Sequence, residues 1–450
     1  MNNTDKQNIA ARGFVFRILP WLICGLGALF YIYEYVLRIT PGVITVDLMR
    51  FFGINSLVVS NLAAFYYYAY TPMQLPVGVL MDRFGPKRLL VLACLICAIG
   101  SFMFAETTHI TVASIGRFLV GFGSAFAFVG VLKLATIWLP PNRFALVSGL
   151  ASALGAVGAA IGFVSIQRII NHIYWQDMVD ITAISGVILA AIMYVVIKDR
   201  PKHIAEKHAL INWSEIIGGF TLVMKNKYIW VNGMIGCFLY LPAAVFAELW
   251  GKQYLMAAHG YTADQAVIGI SFVFFGFACG GPVFGFISDV LKNRRIPMAI
   301  GAIGAAAVFC TILYMPNLTM TTINILLFVF GITYSAQVIV FAVGRELSPN
   351  YVAGTAIAVT NMFVMLSGSF FETAVGEFLK LGWDHTIVDG VPNYSGLDFT
   401  HSLTIIPALL ILSLILIFFL KETHGHVNDQ ENLVEEDKVI SDDESMFQQH

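Results

Sequence analysis

Long apolar runs separated by short polar breaks recur along the chain. A helix needs about 20 mostly apolar residues to cross hydrocarbon. Twelve runs meet that length: 18–40, 57–79, 88–106, 111–139, 144–167, 178–197, 228–250, 264–287, 296–315, 321–344, 353–377 and 401–420. One longer break, Lys198 to Lys227, divides six spans from six. Within it Leu210, Trp213, Ile216, Ile217, Phe220, Val223 and Met224 recur at helical spacing, with Lys207, His208, Asn212 and Glu215 between them. That pattern predicts an amphipathic helix lying at the membrane surface, with a flexible linker as the alternative. The segment 421–450 carries Glu435, Glu436, Asp437, Asp442, Asp443 and Glu444 and reads as an acidic, disordered tail. The predicted organisation is a short N-terminus (1–17), six helices (18–197), a linker (198–227), six helices (228–420) and the tail.

Composition agrees with an all-α membrane protein. Hydrophobic residues make up 58% and charged residues 12%, against roughly 45–50% and about 25% in soluble chains. So little charge cannot cover a soluble globule of 450 residues. A net charge of −2 offers no basic surface for nucleic acid. Twelve spans put both termini on one side, and 20 of the 26 lysines and arginines fall on that side. Positive residues favour the cytoplasm, so both termini are expected there. The first run is too long for the apolar core of a signal peptide and no small-residue cleavage site follows, so it reads as the first span. The six cysteines (Cys24, Cys94, Cys97, Cys237, Cys279 and Cys310) sit in apolar runs. Cys94 and Cys97 form a CxxC with no second ligand pair, which reads as packing and not as metal or redox chemistry. Phosphate-loop, nucleophile-elbow and zinc-protease motifs are missing, so no enzyme, metal or cofactor is expected.

The two halves share a motif. Gly78-Val-Leu-Met-Asp82-Arg83-Phe-Gly85-Pro-Lys87-Arg88 follows the second span of the first half, and Gly285-Phe-Ile-Ser-Asp289 with Arg294-Arg295 follows the second span of the second. Glycine-to-aspartate and aspartate-to-basic spacings are the same in both copies. A small residue lets helices touch, and an aspartate at a helix end can pair with basic groups or with a neighbouring helix N-terminus. Gly78, Asp82, Arg83, Gly85, Lys87, Arg88, Gly285, Asp289, Arg294 and Arg295 are therefore candidates for a latch that closes the cytoplasmic side. The alternative is that the basic residues are topology signals only. The first copy resembles the signature loop of the major facilitator superfamily, and the match extends over residues 15–420. Arg117-Phe-Leu-Val-Gly121-Phe-Gly123 resembles that family's fourth-span pattern, with Val120 where glutamine is usual. The resemblance implies two pseudo-symmetric six-helix bundles around a central cavity, working by alternating access. The run from Tyr66 to Arg83 is also similar to the phagosomal nutrient transporters of intracellular bacterial pathogens. That likeness implies a bacterial inner membrane and an amino acid cargo.

Charges at membrane depth are costly and mark function by default. Glu34 and Arg38 lie one helical turn apart in the first span, in the order that favours an ion pair. Arg38 is a candidate for a substrate carboxylate and Glu34 for a proton; a structural pair is the alternative. Arg117 is implicated by the family pattern in coupling or substrate binding, against snorkelling to the headgroups. Glu372 is a second proton candidate, against a buried hydrogen-bonded role. Lys133 reads as a snorkelling anchor and Glu248 as an outer-gate or interface group. The run Tyr66-Tyr67-Tyr68-Ala69-Tyr70 with Gln74 carries too many polar groups to face lipid throughout. Tyr67, Tyr70, Gln74, Tyr240, Tyr334, Gln337 and Asn361 are accordingly candidate substrate contacts, against ordinary interhelical hydrogen bonds. The fifth-span glycines, Gly149, Gly155, Gly158 and Gly162, lack the glycine-proline ending of drug–proton antiporters, which favours uptake. The reading is a monomeric proton-driven symporter for a small polar or anionic nutrient such as an amino acid. Polycarboxylate, siderophore or nucleoside transport, an exporter, and a transporter-like sensor with the tail as output are the alternatives.

Overall fold

The computed structural model describes residues 3–140, 143–198 and 213–425. Most of the linker and the acidic tail beyond residue 425 lie outside the described residues. Among the described residues eleven helices are long and apolar enough to cross a membrane, or twelve when a bent pair counts as one span. In chain order the spans are 1 (Leu19–Val43), 2 (Ser56–Phe84, preceded by the short helix Thr45–Phe52), 3 (Pro86–Ala105), 4 (Ile110–Trp138), 5 (Gly149–Ile170) and 6 (Trp175–Val196). The second half supplies spans 7 (Lys227–His259), 8 (Ala263–Leu291), 9 (Arg295–Tyr314), 10 (Met320–Glu346), 11 (Ala353–Gly382) and 12 (Gly396–Phe419). The bent pair turns through 114° at Gly53, whose φ of +62° suits glycine. The Asn55 side chain then caps span 2 by accepting from the Val58 N–H.

The amphipathic segment is helical over Trp213–Lys225. Spans 7, 11 and 12 run past their predicted ends. Span 7 continues by nine residues through Gly251-Lys252-Gln253, so Lys252 is part of a buried helix and not of an outer loop. Those polar residues look like a helix end in sequence, but Lys252 and the Gln253 amide N–H donate to the other half. A hairpin pairing Ile387–Val388 with Val391–Pro392 joins spans 11 and 12, turning at Asp389 and Gly390, both with positive φ.

The two halves pack alike. Span 3 packs on spans 4 and 6, span 2 on 4, and span 1 on 5; in the second half span 9 packs on 10 and 12, span 8 on 10, and span 7 on 11. Spans 2 and 11, and spans 5 and 8, make the main contacts between halves. Those contacts lie towards the end of the molecule away from the two described termini. There Ser56 donates to the Gly376 carbonyl at 2.8 Å, the Ser56 N–H donates to Tyr394 at 3.0 Å, and Ser271 donates to the Ala160 carbonyl at 2.9 Å. Lys252 donates to the Val43 carbonyl (2.5 Å) and the Gln167 amide oxygen (2.6 Å), and Gln253 donates to the Gly42 carbonyl (3.1 Å). At the other end a Cβ added at Gly78, Gly149, Gly285 or Gly354 would meet nothing within 4 Å. The halves therefore touch at one end and part at the end bearing both signature loops. The contact expected at Gly78 and Gly285 is not made, because in this arrangement their faces look into open space.

A Cβ at Gly376 would stand 2.6 Å from the Ser60 Cβ and 2.8 Å from the Ser56 carbonyl. Gly376→Val should hold the closed end apart. In a cysteine-free background, a cysteine placed at Ser60 should then react at least several-fold faster with a membrane-impermeant thiol reagent. Unchanged labelling would show that this contact does not close the path.

Candidate functional site

Span 1 carries Glu34 and Arg38 on one face, and both are buried where the two halves meet, at 0% and 4% exposure. The Arg38 guanidinium forms an ion pair with Glu34. Its Nε donates to the Tyr66 hydroxyl at 3.1 Å and its Nη1 to the Tyr240 hydroxyl, across the interface, at 3.3 Å. Tyr66 in turn donates to Glu34. The rings of Tyr35, Tyr66 and Tyr70 surround the guanidinium with centroids 4.4, 5.3 and 5.1 Å from Cζ. Such packing supplies partners that water would otherwise give the charge.

Arg117 enters from span 4. Its Nη1 donates to the Leu37 carbonyl at 2.8 Å and its Nη2 to the Arg38 carbonyl at 3.5 Å, and its Cζ sits 5.4 Å from the Tyr66 ring centroid. Gly121, one turn on, makes this approach possible: a Cβ there would overlap the Tyr66 carbonyl. The fourth-span pattern thus serves a geometric purpose, since the glycine brings span 4 against span 2 where the arginine must reach span 1.

The second half answers with carboxylates. Glu248 accepts from Tyr67 and, at 3.1 Å, from Tyr240. It sits on a π-helical stretch, Pro242–Trp250. Glu372 closes a second π-helical stretch, Ser367–Glu372 in span 11. Turns of this kind are rare and concentrate at functional sites. Glu372 is 2% exposed, lies within electrostatic range of Glu248, Arg117 and Arg38, and its Oε2 has no hydrogen-bond partner among the described residues.

Of the residues singled out in the sequence, Glu34, Arg38, Tyr67, Tyr70, Arg117, Tyr240 and Glu372 thus converge. Gln74 and Asn361 bond to each other at 2.8 Å between spans 2 and 11, on the parted side of the cluster. Tyr334 is buried and stacks on Phe277 with centroids 5.2 Å apart. Gln337 is buried in the 3₁₀ turn Ser335–Val338 that interrupts span 10. Sequence reasoning did not single out Tyr66 or Tyr35, and it read Glu248 as an outer-gate or interface group. Tyr66 was one of a run and had no separate signal. Tyr35 is the neighbour of Glu34 and went unmarked. Glu248 stood out as an intramembrane carboxylate, but a 3.6-residue period does not show where a π-helical turn aims it.

Among the described residues the ion pairs of Asp82, Asp289 and Arg294 stay within their own halves. Asp82 forms an ion pair with Lys133 of span 4, so Lys133 is a partner of the motif and not simply an anchor. Gly85, at φ +79°, makes the turn between spans 2 and 3. Lys87 lies 4.7 Å from the Tyr194 ring centroid and Arg83 lies 5.2 Å from that of Phe84, while Arg88 is exposed. In the second copy Arg294 bridges Asp289 and Glu346, both at 2.6 Å, and Arg295 donates to the Ile417 and Phe418 carbonyls at 3.0 and 2.5 Å. Glu422 accepts from the backbone N–H groups of Arg294 and Arg295 at the start of span 9 (2.9 and 3.0 Å). Burial alone would push the Glu422 carboxyl up, but N–H donors from Arg294, Arg295, His424 and Thr423 outweigh it and hold it below the ordinary carboxylate range. A depressed carboxyl stabilises the fold above its unfolded-state value and loses that effect as pH falls through its folded value. Glu422→Gln should therefore cost roughly 0.3–1 kcal/mol near neutral pH, the usual worth of an anion at a helix N-terminus. Thermal melts of variant and wild type should converge on acidification through the carboxylate range. A gap that widens there would contradict this.

Comparison with known proteins places this geometry. A family model described as the Major Facilitator Superfamily matches residues 23–371. Among similar proteins, a probable galactarate/D-glucarate transporter of Bacillus subtilis is 24% identical over 73% of this chain and 79% of its own. A glycerol-3-phosphate transporter of the same organism is 23% identical over 68% and 74%. The crystal structure of a bacterial homologue of the human lysosomal transporter Spinster, inward-facing and unoccupied, superposes with a TM-score of 0.73 at 15% identity, covering 89% of this chain and 97% of its own. With the family model running from span 1 through the junction into span 11, the chain belongs to the major facilitator superfamily.

Proposed function

We propose that this multi-pass membrane protein is a proton-coupled importer of a small organic anion, with both termini in the cytoplasm. The observation that carries the reading is the position of Arg38. It touches both halves, and its ion-pair partner, Glu34, is a group that a proton can neutralise. While Glu34 is ionised it competes with any incoming carboxylate or phosphate for the guanidinium. Protonation of Glu34 releases Arg38 to the cargo, so proton and anion each favour the other's binding, as linkage requires. Glu34 is better placed for this than Glu372, the other carboxylate considered for the proton, because Glu34 touches the arginine directly. Arg117, bonded only to main-chain carbonyls among the described residues, adds a second positive charge. Relatives named for galactarate, D-glucarate and glycerol-3-phosphate support an anionic cargo. Amino acids and polycarboxylates carry the same reacting group.

The packing supports a cycle of alternating access. With the outer contacts closed and the motif end parted, cargo leaves towards the side of the termini; rocking the halves about the cluster presents it to the other side. The parted ends of spans 2, 5, 8 and 11 must then close, bringing Gly78 and Gly285 into contact and placing Asp82 and Asp289 where the two halves meet. These latch groups act in the arrangement opposite to the one described above.

The test uses proteoliposomes and a labelled panel of galactarate, glycerol-3-phosphate, succinate and amino acids. A pH gradient, acid outside, should drive accumulation of one of them at least tenfold. Glu34→Gln should abolish accumulation while keeping exchange of labelled for unlabelled cargo, because binding survives and coupling does not. Accumulation that persists after the gradient is collapsed, or that Glu34→Gln leaves intact, would overturn proton coupling through this residue.

A further inference from the structure

One helical turn beyond Glu248, towards the closed end, span 7 carries Lys252. It is 7% exposed. Its ammonium donates to the Val43 carbonyl at 2.5 Å and to the Gln167 amide oxygen at 2.6 Å, and the neighbouring Gln253 amide donates to the Gly42 carbonyl at 3.1 Å. Gly42 and Val43 in turn lie one helical turn beyond Arg38 on span 1. The spans meet so closely there that a Cβ at Gly42 would overlap the Glu248 carbonyl. This layer seals the central cluster from the closed end. All three acceptors belong to spans 1 and 5 of the first half, and both donors belong to the second.

Among the described residues Lys252 makes no ion pair: its acceptors are a carbonyl and an amide oxygen, both neutral. Asp47 and Asp264 are the acidic groups within electrostatic range. Asp47 pairs with Arg50 at 4.0 Å, and Asp264, in the first turn of span 8, accepts from Asn171 at 3.0 Å. Burying an ammonium against neutral acceptors is costly, and an uncharged donor would close the same contacts without that cost. The charge finds its use when the halves part. Gly42, Val43 and Gln167 then leave with the first half, and Lys252 and Gln253 stand on the second-half wall with their donors open. An ammonium has three donors and a glutamine amide two, which suits a carboxylate or phosphate arriving from that side.

We propose that Lys252 and Gln253 form an anion-capture subsite of the outer mouth, exposed when the closed end parts, which takes the carboxylate or phosphate of the cargo before Arg38 and Arg117 receive it. This rests on the anion reading of those arginines and adds a first station on the inward path. Closing the outer end returns Lys252 to Val43 and Gln167, so the lysine lets go of the cargo as the path is sealed. The cargo is left to the arginines, one turn deeper. In the arrangement described above Lys252 is engaged, so cargo exchanging with the cytoplasmic side does not meet it. The subsite therefore acts on affinity from one side of the membrane only.

The experiment measures sided kinetics of the full-length protein in proteoliposomes of fixed orientation, with labelled galactarate, glycerol-3-phosphate, succinate and amino acids as probes. Lys252→Gln should raise KM for entry from the outer side by about tenfold, the worth of one charge-assisted hydrogen bond. KM from the cytoplasmic side should stay that of wild type. Lys252→Arg, which keeps the charge, should restore the outer KM. Added salt should raise the outer KM of wild type more than that of Lys252→Gln, because screening acts on the charge. Ligand-free melting and gel filtration check that each variant is folded. A lysine that only seals the closed end predicts otherwise: its loss loosens that end and leaves the outer KM unchanged or lower. That result overturns the subsite while the anion reading stands. Equal rises of KM on both sides would also overturn it, since the effect would then come from the cluster. If wild type neither binds nor transports any of the probes, the anion reading and the subsite fail together.

Discussion

A guanidinium placed where two helical bundles meet inside a membrane must find every partner within the protein. Arg38 is that group, and much of the central architecture exists to meet its demands. Glu34 neutralises it from the same helix, Tyr66 and Tyr240 accept two further N–H groups from two other helices, and three tyrosine rings surround it. Removing one member of a buried charged pair typically costs about 3–5 kcal/mol. The arrangement is therefore stiff unless a ligand or a proton replaces a partner. A transporter needs that property: a centre stable when empty, stable when fully loaded and unstable in between.

The same cluster links the two halves without locking them. Tyr240 is shared between Arg38 and Glu248, and Tyr67 reaches Glu248 from span 2, so a change at one carboxylate is felt on both sides. Away from the centre the contacts are short-ranged and replaceable. Serine hydroxyls and a lysine meet main-chain carbonyls at one end, and glycine faces stand open at the other. Few of these contacts are charge-to-charge, so their rupture costs little individually. Within each half, by contrast, helices interlock at glycines where a Cβ would not fit, such as Gly100, where it would stand 2.6 Å from the Gly116 carbonyl. Rigid halves with a weak seam are what rocking requires.

Much of this could be read from the chain, because a helix in hydrocarbon must be apolar over a fixed length and must satisfy its backbone internally. Span positions followed from that rule. The rare charges within spans pointed to Glu34, Arg38, Arg117 and Glu372, and the aromatic run of span 2 pointed to Tyr67 and Tyr70. What the chain did not show depends on partners distant in sequence. Glu248 and Tyr67 lie 181 positions apart, and a π-helical turn sets the direction of the glutamate. Lys252 looked like a loop residue because nothing local reveals that Val43 and Gln167 receive it. The glycines of the signature loops looked like contact points, and their open faces here reflect which end of the molecule is closed. The structure presents one arrangement of the halves.

The proposed dependence of cargo binding on a proton at Glu34 is measured most directly by calorimetry near neutral pH in buffers of differing ionisation enthalpy. The slope of observed heat against buffer enthalpy gives the protons taken up per cargo bound. If Glu34 must be neutralised before Arg38 can accept the cargo, wild type should take up a proton on binding, and Glu34→Gln should take up essentially none while still binding. A wild-type slope of zero, or a slope that Glu34→Gln leaves unchanged, would contradict the competition between Glu34 and the cargo for Arg38.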